Sequence, residues 1–162
     1  MRLTHGFEPV YDDACIVLIL GSFPSVQSRE DGFYYGHPRN RFWPLLAKLF
    51  ADDVPQMSGE KKAFLLRHHI ALWDVVQSCE ITGSSDASIR EVIPNDIRCI
   101  LESAPIRQIY ANGRTAHKLY TRWLQPVTGS EAVCLPSTSP ANAAWTMEKL
   151  GKAWREHIII KT

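Results

Sequence analysis

The run Cys15–Leu20, CIVLIL, constrains the fold more tightly than any other part of the chain. It is unbroken by polar residues, rich in branched side chains and closed by Gly21. A strand with one wet face alternates apolar and polar residues. This one does not, so both of its faces must be covered, as in a parallel sheet with helices on either side.

The rest of the chain supplies matching parts. Arg41–Phe50 has helical spacing, with Phe42, Leu45, Leu46, Leu49 and Phe50 as its apolar set. Asn40 stands where an N-cap would stand, and Pro44 falls in the first turn, where proline is tolerated. After a break at Asp52–Gly59, Ser58 is placed to cap a helix over residues 60–68. Ile70–Val76, Ile106–Ala111 and Ala132–Leu135 read as the second, third and fourth strands. Further helices are predicted from Pro94-Asn95-Asp96 through Glu102, from the Asn112-Gly113 turn through Leu124, and over Ala141–His157. Residues 79–90 are polar and rich in Gly and Ser, and read as a surface loop or a short helix; Ile158–Ile160 is too short to classify. Strand alternating with helix implies an α/β fold, a parallel sheet between helical layers. A chain of 162 residues is one domain by length, residues 1–162.

Ligands bind such folds beyond the carboxyl ends of the strands. The loops leaving those ends are Gly21–Arg39, the turn after Val76, Asn112-Gly113 and Pro136–Pro140. The unusual chemistry of the sequence therefore collects on one edge of the sheet. Gly21–Trp43 is its richest part: GSFPS with small residues and backbone N–H groups, the rings Phe33-Tyr34-Tyr35, then His37, Arg39, Asn40 and Arg41. Asn40 has two roles open to it. As a helix cap it contributes about 1 kcal/mol. Alternatively its side-chain carbonyl holds a water for attack, by position and dipole, since an amide does not titrate usefully. His37 is equally suited to donate to a leaving base, to donate to a phosphate, or to a structural place. A ring in this loop either packs over the sheet end or stacks on a nucleobase, worth about 1–3 kcal/mol per base.

The same residues exclude several functions. No GxGxxG follows the first strand, and no GxxxxGK[ST], GxSxG or HExxH occurs, which argues against dinucleotide, P-loop, serine-esterase and zincin chemistry. The net charge of +1 does not announce a nucleic-acid partner, so DNA binding must rest on local charge, of which Arg29, Arg39 and Arg41 form one cluster. No run of about 18 apolar residues occurs, so no membrane span is expected. Glu8, Asp12 and Asp13 ahead of the apolar run are wrong for a secretory signal, and the cytoplasm is the expected compartment. Cys15, Cys79, Cys99 and Cys134 form no CxxC pair and are expected to be buried, reduced thiols. No metal and no cofactor are expected.

Taken together, GSFPS, FYYGHPRNRFW, LWDVVQSCE, ANGRTAHKLY and LPSTSPANA resemble the uracil-DNA glycosylase superfamily, above all its hypoxanthine-DNA (deoxyinosine) glycosylase branch. The resemblance covers about Ile16 to Trp154, and GHPRNRFW is its most specific piece. It implies a three-layer α/β/α fold with a central four-stranded parallel sheet, and a base flipped from DNA into a pocket at the strand ends. Two departures qualify it. Phe23 stands where many members carry a polar residue able to activate water, and Leu135 where many carry His or Asn. The hypoxanthine branch shares both losses and implies Asn40 as the catalytic group. Carried over, Tyr35 is the ring against the base, with Gly21, Ser22, Phe23, Pro24 and His37 around it. Asp74 falls near a base-reading position, where a carboxylate accepts the N1–H that hypoxanthine has and adenine lacks; a structural Asp in a turn is the alternative. Ser137, Thr138, Ser139 and Arg39 are implied at DNA phosphates. The expected protein is thus a monomeric, monofunctional glycosylase acting on DNA that contains deaminated bases. The alternatives are a uracil or mismatch-specific glycosylase and a non-catalytic nucleic-acid-binding module on the same fold.

Overall fold

A computed structural model describes residues 2–82 and 88–158. In chain order the elements are β1 (Arg2–Thr4), β2 (Val17–Gly21), α1 (Val26–Asp31), α2 (Phe42–Leu49), α3 (Ser58–Arg67), β3 (Ile70–Asp74), β4 (Val76–Glu80), β5 (Arg90–Pro94), α4 (Arg98–Ser103), β6 (Gln108–Asn112), α5 (Arg114–Trp123), α6 (Gln125–Thr128), β7 (Ala132–Leu135) and α7 (Met147–Ile158). Strands β3, β2, β6 and β7 lie side by side in that order, all parallel.

The central strand β2 is buried along its whole length, as its unbroken apolar run requires. Its side chains alternate between two cores. Val17 and Ile19 join Ile70, Leu72 and Tyr110 beneath α2, α3 and α7. Leu18 and Leu20 join Ala71, Ile109 and Ala111 beneath α4 and α5. Each fully buried Leu or Ile contributes about 1.5–3 kcal/mol relative to exposure, so the period-2 assignment to two faces is strongly enforced. The result is the expected three-layer α/β/α architecture. Among the described residues, no helix is long and apolar enough to cross a membrane.

Local structure differs from the sequence expectations in instructive places. Ile70–Val76 is not one strand. The chain leaves the parallel sheet at Val75, whose N–H bonds the Gly21 carbonyl, and Val76–Glu80 enters a second, antiparallel sheet ordered β1-β4-β5. Residues 79–90 are therefore in part strand at both ends, and 83–87 lie outside the described residues. The loop after Gly21 contains a short helix: Ser25 Oγ accepts the Ser28 N–H at 3.1 Å, and Gly32 ends it at φ +72°. The helix expected from Pro94 starts instead at Arg98, because Pro94 is still in β5 and the Asn95 side chain holds the carbonyls of Asp74 and Val76. The last helix starts at Met147 rather than Ala141. The carbonyls of Ser139, Asn142 and Trp145 all accept from the Arg41 guanidinium, and the backbone there closes as i to i+3 turns, Asn142 N–H on Ser139 and Trp145 N–H on Asn142, rather than as a helix. Cys99 and Cys134 are exposed, contrary to expectation; Cys134 lies on β7, an edge strand with one outward face, and only Cys15 and Cys79 are buried.

Candidate functional site

The register of β2 on β3 sets Gly21 opposite Asp74 where both strands end. Above that edge lies a cavity of about 490 Å³. Its walls come from the loop after β2 and the loop after β7. Gly21, Ser22, Phe23, Pro24, Tyr35, His37, Asn40 and Asp74 all line it, as do Ser137, Thr138 and Ser139. The sequence-predicted site residues thus converge, Arg39 excepted. Arg39 is exposed outside the cavity wall.

Asn40 is held by its oxygen. Oδ1 accepts the Phe42 N–H at 2.9 Å and the Thr138 hydroxyl at 2.9 Å. A backbone N–H only donates, so the amide atom facing it must be the oxygen, and this fixes the orientation of the group. Both expected roles are affected. Asn40 does brace the start of α2, one residue ahead of the cap position, which Arg41 occupies. Its carbonyl is committed to these two donors rather than to a water. The group it has left for the cavity is Nδ2–H₂, which has no protein partner among the described residues.

Behind Asn40 stands a reciprocal pair that the sequence did not signal beyond a turn. Asn112 Nδ2 donates to Thr138 Oγ1 at 3.0 Å, and the Thr138 N–H donates to Asn112 Oδ1 at 3.1 Å. Thr138 is fully buried, and its hydroxyl is used by Asn40 and Asn112. That hydroxyl is spent within the protein rather than turned outward. Ser137 and Ser139 differ. Each Oγ accepts a backbone N–H two residues on, from Ser139 and Ala141 respectively, which leaves each hydroxyl hydrogen to be donated outward. Arg41 likewise turns its guanidinium to the protein. Besides the three loop carbonyls already named, its Nε and its backbone N–H both bond the Thr138 carbonyl. Arg41 therefore ties the second loop to the start of α2.

The Tyr35 ring stacks on Phe42, with centroids 4.1 Å apart and planes at 24°. Its backbone sits at φ +54°, a left-handed conformation that a bulky residue adopts only when its surroundings impose it. His37 accepts the Arg39 N–H at Nδ1, 3.0 Å away, so a neutral ring carries its hydrogen on Nε2, the exposed side. Arg29 lies over the Phe23 ring at 5.7 Å.

Asp74 is 3% exposed. Its Oδ2 lies 2.8 Å from His5 Nε2. A Cβ on Gly21 would come within 2.3 Å of Asp74 Oδ1 and 2.9 Å of the Tyr35 hydroxyl, so the absence of a side chain there is what lets both groups reach the cavity edge. Asn95 braces the turn from behind through the Asp74 carbonyl. Burial first, then the charge of Asp74, pushes the Tyr34 hydroxyl far above the ordinary range. It stays protonated and donates to the Glu8 carbonyl at 2.8 Å. His5 and Asn95 were not legible in the sequence, since each directly follows a strand of the second sheet, outside the main sheet's pattern.

Comparison with known proteins places the chain in a family. A sequence model of the uracil DNA glycosylase superfamily matches residues 8–159. A hypoxanthine DNA glycosylase of Methanosarcina acetivorans is 37% identical over 149 residues, 91% of this chain and 93% of that protein. Another of that name from Methanosarcina barkeri is 32% identical over 154 residues, 94% of this chain and 96% of that protein. A solution NMR structure from Methanosarcina acetivorans, named there as a candidate uracil DNA glycosylase, superposes with a TM-score of 0.80 at 35% identity and covers 98% of this chain and 97% of its own.

Proposed function

The chain belongs to the uracil DNA glycosylase superfamily, and from that premise we propose that it is a monofunctional DNA glycosylase that removes hypoxanthine from deoxyinosine. The base is flipped from the helix, since its glycosidic carbon is shielded within the stack. The C1′–N9 bond then breaks with its electron pair passing to the purine, water adds at C1′ and gives up a proton, the purine takes up a proton from solvent, and an abasic site remains. The two relatives named hypoxanthine DNA glycosylase support the choice of base. The observation that carries it is a buried carboxylate, Asp74, with one oxygen at the cavity edge. A ring N–H is what such an oxygen accepts.

In this reading Tyr35 stacks on the extruded base with its far face backed by Phe42. Asn40 acts through Nδ2–H₂. The sign of the developing charge decides its partner: a donor is favourable beside a base that is becoming anionic and unfavourable beside a water that is becoming cationic. Asn40 therefore stabilises the leaving purine. Arg39, Ser137 and Ser139 hold phosphates on either side of the cavity. The protein acts as a monomer, as one domain and in the cytoplasm, and neither a metal nor a covalent lysine intermediate enters the scheme.

The test is base release from a duplex with a single deoxyinosine, read as strand scission after alkali. Scission above a no-enzyme control is expected. Its absence with DNA binding intact would sink the reading and favour a binding module. A parallel uracil duplex separates the uracil-specific alternative. Asn40→Asp keeps an oxygen for Phe42 and Thr138 but replaces the donor with an acceptor. It should lower turnover about 10²–10³-fold with little change in DNA affinity; undiminished turnover would return Asn40 to a water-holding role.

A further inference from the structure

The N-terminal strand brings a side chain to the rear of the cavity. His5 follows β1, and its N–H bonds the Gln77 carbonyl in β4. The imidazole side chain is 2% exposed and sits among rings: Phe7 at 4.5 Å, Tyr34 at 5.9 Å and Phe23 edge-on at 6.3 Å. The Phe7 N–H approaches Nδ1 at 3.5 Å. Since that group only donates, Nδ1 is the acceptor and Nε2 carries the hydrogen that goes to Asp74 Oδ2 at 2.8 Å. One carboxylate oxygen is thus engaged from behind, and the plane of the group is fixed with Oδ1 beside Gly21.

We propose that His5 is a positioning residue for base selection: it locks the Asp74 carboxylate so that Oδ1 is presented as an acceptor to the extruded base, and so makes the cavity selective for bases whose ring nitrogen bears a hydrogen. The inference rests on reading the cavity as a base pocket. Its chemistry is that of deamination. Adenine offers a bare lone pair at N1, which a carboxylate oxygen repels. Its deaminated product offers N1–H, which the same oxygen accepts in a charge-assisted bond. A carboxylate free to turn about its Cβ–Cγ bond would make that distinction poorly. The pair spans from residue 5 to residue 74, so the selecting group is oriented by a segment outside the motifs of the site.

The experiment measures binding rather than release. Duplexes carry 2′-fluoro-deoxyinosine, 2′-fluoro-deoxyadenosine or a tetrahydrofuran abasic analogue; fluorine at C2′ destabilises the oxocarbenium-like state, so the base is not lost. Wild type should prefer the inosine duplex to the adenosine duplex. His5→Leu should lower that ratio about tenfold, and His5→Gln, which keeps an N–H near the same place, should retain it within about threefold. Affinity for the abasic duplex should be equal in all three. The inference is overturned if His5→Leu keeps the ratio within about twofold of wild type, if wild type has no preference, or if abasic affinity falls as much as inosine affinity, which marks a structural pair only. Should His5→Leu not fold, the wild type still decides. Its His5 Nε2–H resonance must shift on adding the inosine duplex and not the abasic one; no difference overturns the proposal. Failure of base release leaves these binding ratios intact, so the two readings fail separately.

Discussion

An Asp–His pair stands at each end of β3, and the two have opposite surroundings. At the carboxyl end, Asp74 and His5 meet at 2.8 Å with side chains 5% and 2% exposed. At the other end, just before Ile70, Asp52 and His68 also meet at 2.8 Å, with side chains 25% and 17% exposed. There the same Oδ2 takes Arg67 Nη2 at 2.7 Å, and Oδ1 takes the Asp53 N–H. Asp52 spends both oxygens on protein groups, Oδ1 on the Asp53 N–H and Oδ2 on Arg67 and His68. Asp74 spends one on His5 and turns the other to a cavity. The pairing alone therefore signals nothing; what the second oxygen faces makes the difference. Exposed ion pairs contribute little to stability, so the outer pair is expected to be a minor brace on the turn between α3 and β3.

Identical substitutions at the two pairs test that contrast, and the first effect is the largest. Asp74→Asn keeps a carbonyl oxygen for His5 Nε2–H and turns an amide N–H₂ to the cavity. A donor then meets the N1–H of hypoxanthine. Single-turnover release from the inosine duplex should fall about 10²-fold, the size expected when a polar group in a recognition site loses its partner. Asp52→Asn should leave the same rate within about twofold, since distant, unconnected sites act independently. Comparable losses at both positions would break the distinction.

The contrast also marks where the sequence is legible. The apolar run at β2 required two covered faces, and the two cores beneath and above it follow from its alternation. Strand order alone puts the loops that line the cavity at one edge, and the family resemblance picked out particular residues on them. What could not be read were the long-range partners. Nothing at residue 5 announces Asp74, because β1 and β4 belong to an antiparallel sheet whose strands were hidden in an apparent continuation of β3 and in a polar loop. Likewise, Arg41 reads as a DNA-binding charge until its guanidinium is found on the carbonyls of Ser139, Asn142 and Trp145. Thr138 reads as a phosphate ligand until its hydroxyl is found on Asn40. In each case a polar side chain satisfied inside the protein is indistinguishable, by sequence, from one offered to a ligand.

A confined and an unconfined glycine sharpen the comparison with a smaller effect. A Cβ at Gly21 would sit 2.3 Å from Asp74 Oδ1, so Gly21→Ala must displace the carboxylate or the strand. It should cost about 1–3 kcal/mol of stability, as overpacking does, and lower base release about tenfold through the moved oxygen. Gly59, by contrast, lies in the first turn of α3 with nothing within 4 Å of a Cβ. Gly59→Ala should stabilise the protein by up to about 1 kcal/mol without touching activity. Urea melts and single-turnover rates of the two variants check both signs; a neutral Gly21→Ala would mean that Asp74 Oδ1 is not confined at the cavity edge.

The smallest effect concerns acid. Hydrogen bonds from the Arg67 guanidinium, then His68 and the Asp53 N–H, hold the Asp52 carboxyl well below the usual carboxylate range. A carboxyl whose folded pKa is depressed stabilises the fold above its unfolded value of about 4, and that contribution is lost as pH falls through the folded value. Wild type and Asp52→Asn should therefore differ modestly in unfolding midpoint at pH 7 and converge as the pH is lowered below about 4. Base release at pH 7 should not register the change at all. A difference that grows in acid would reverse the assigned sign. A difference at pH 7 as large as that for Gly21→Ala would mean that the outer pair is not the solvated brace its exposure describes.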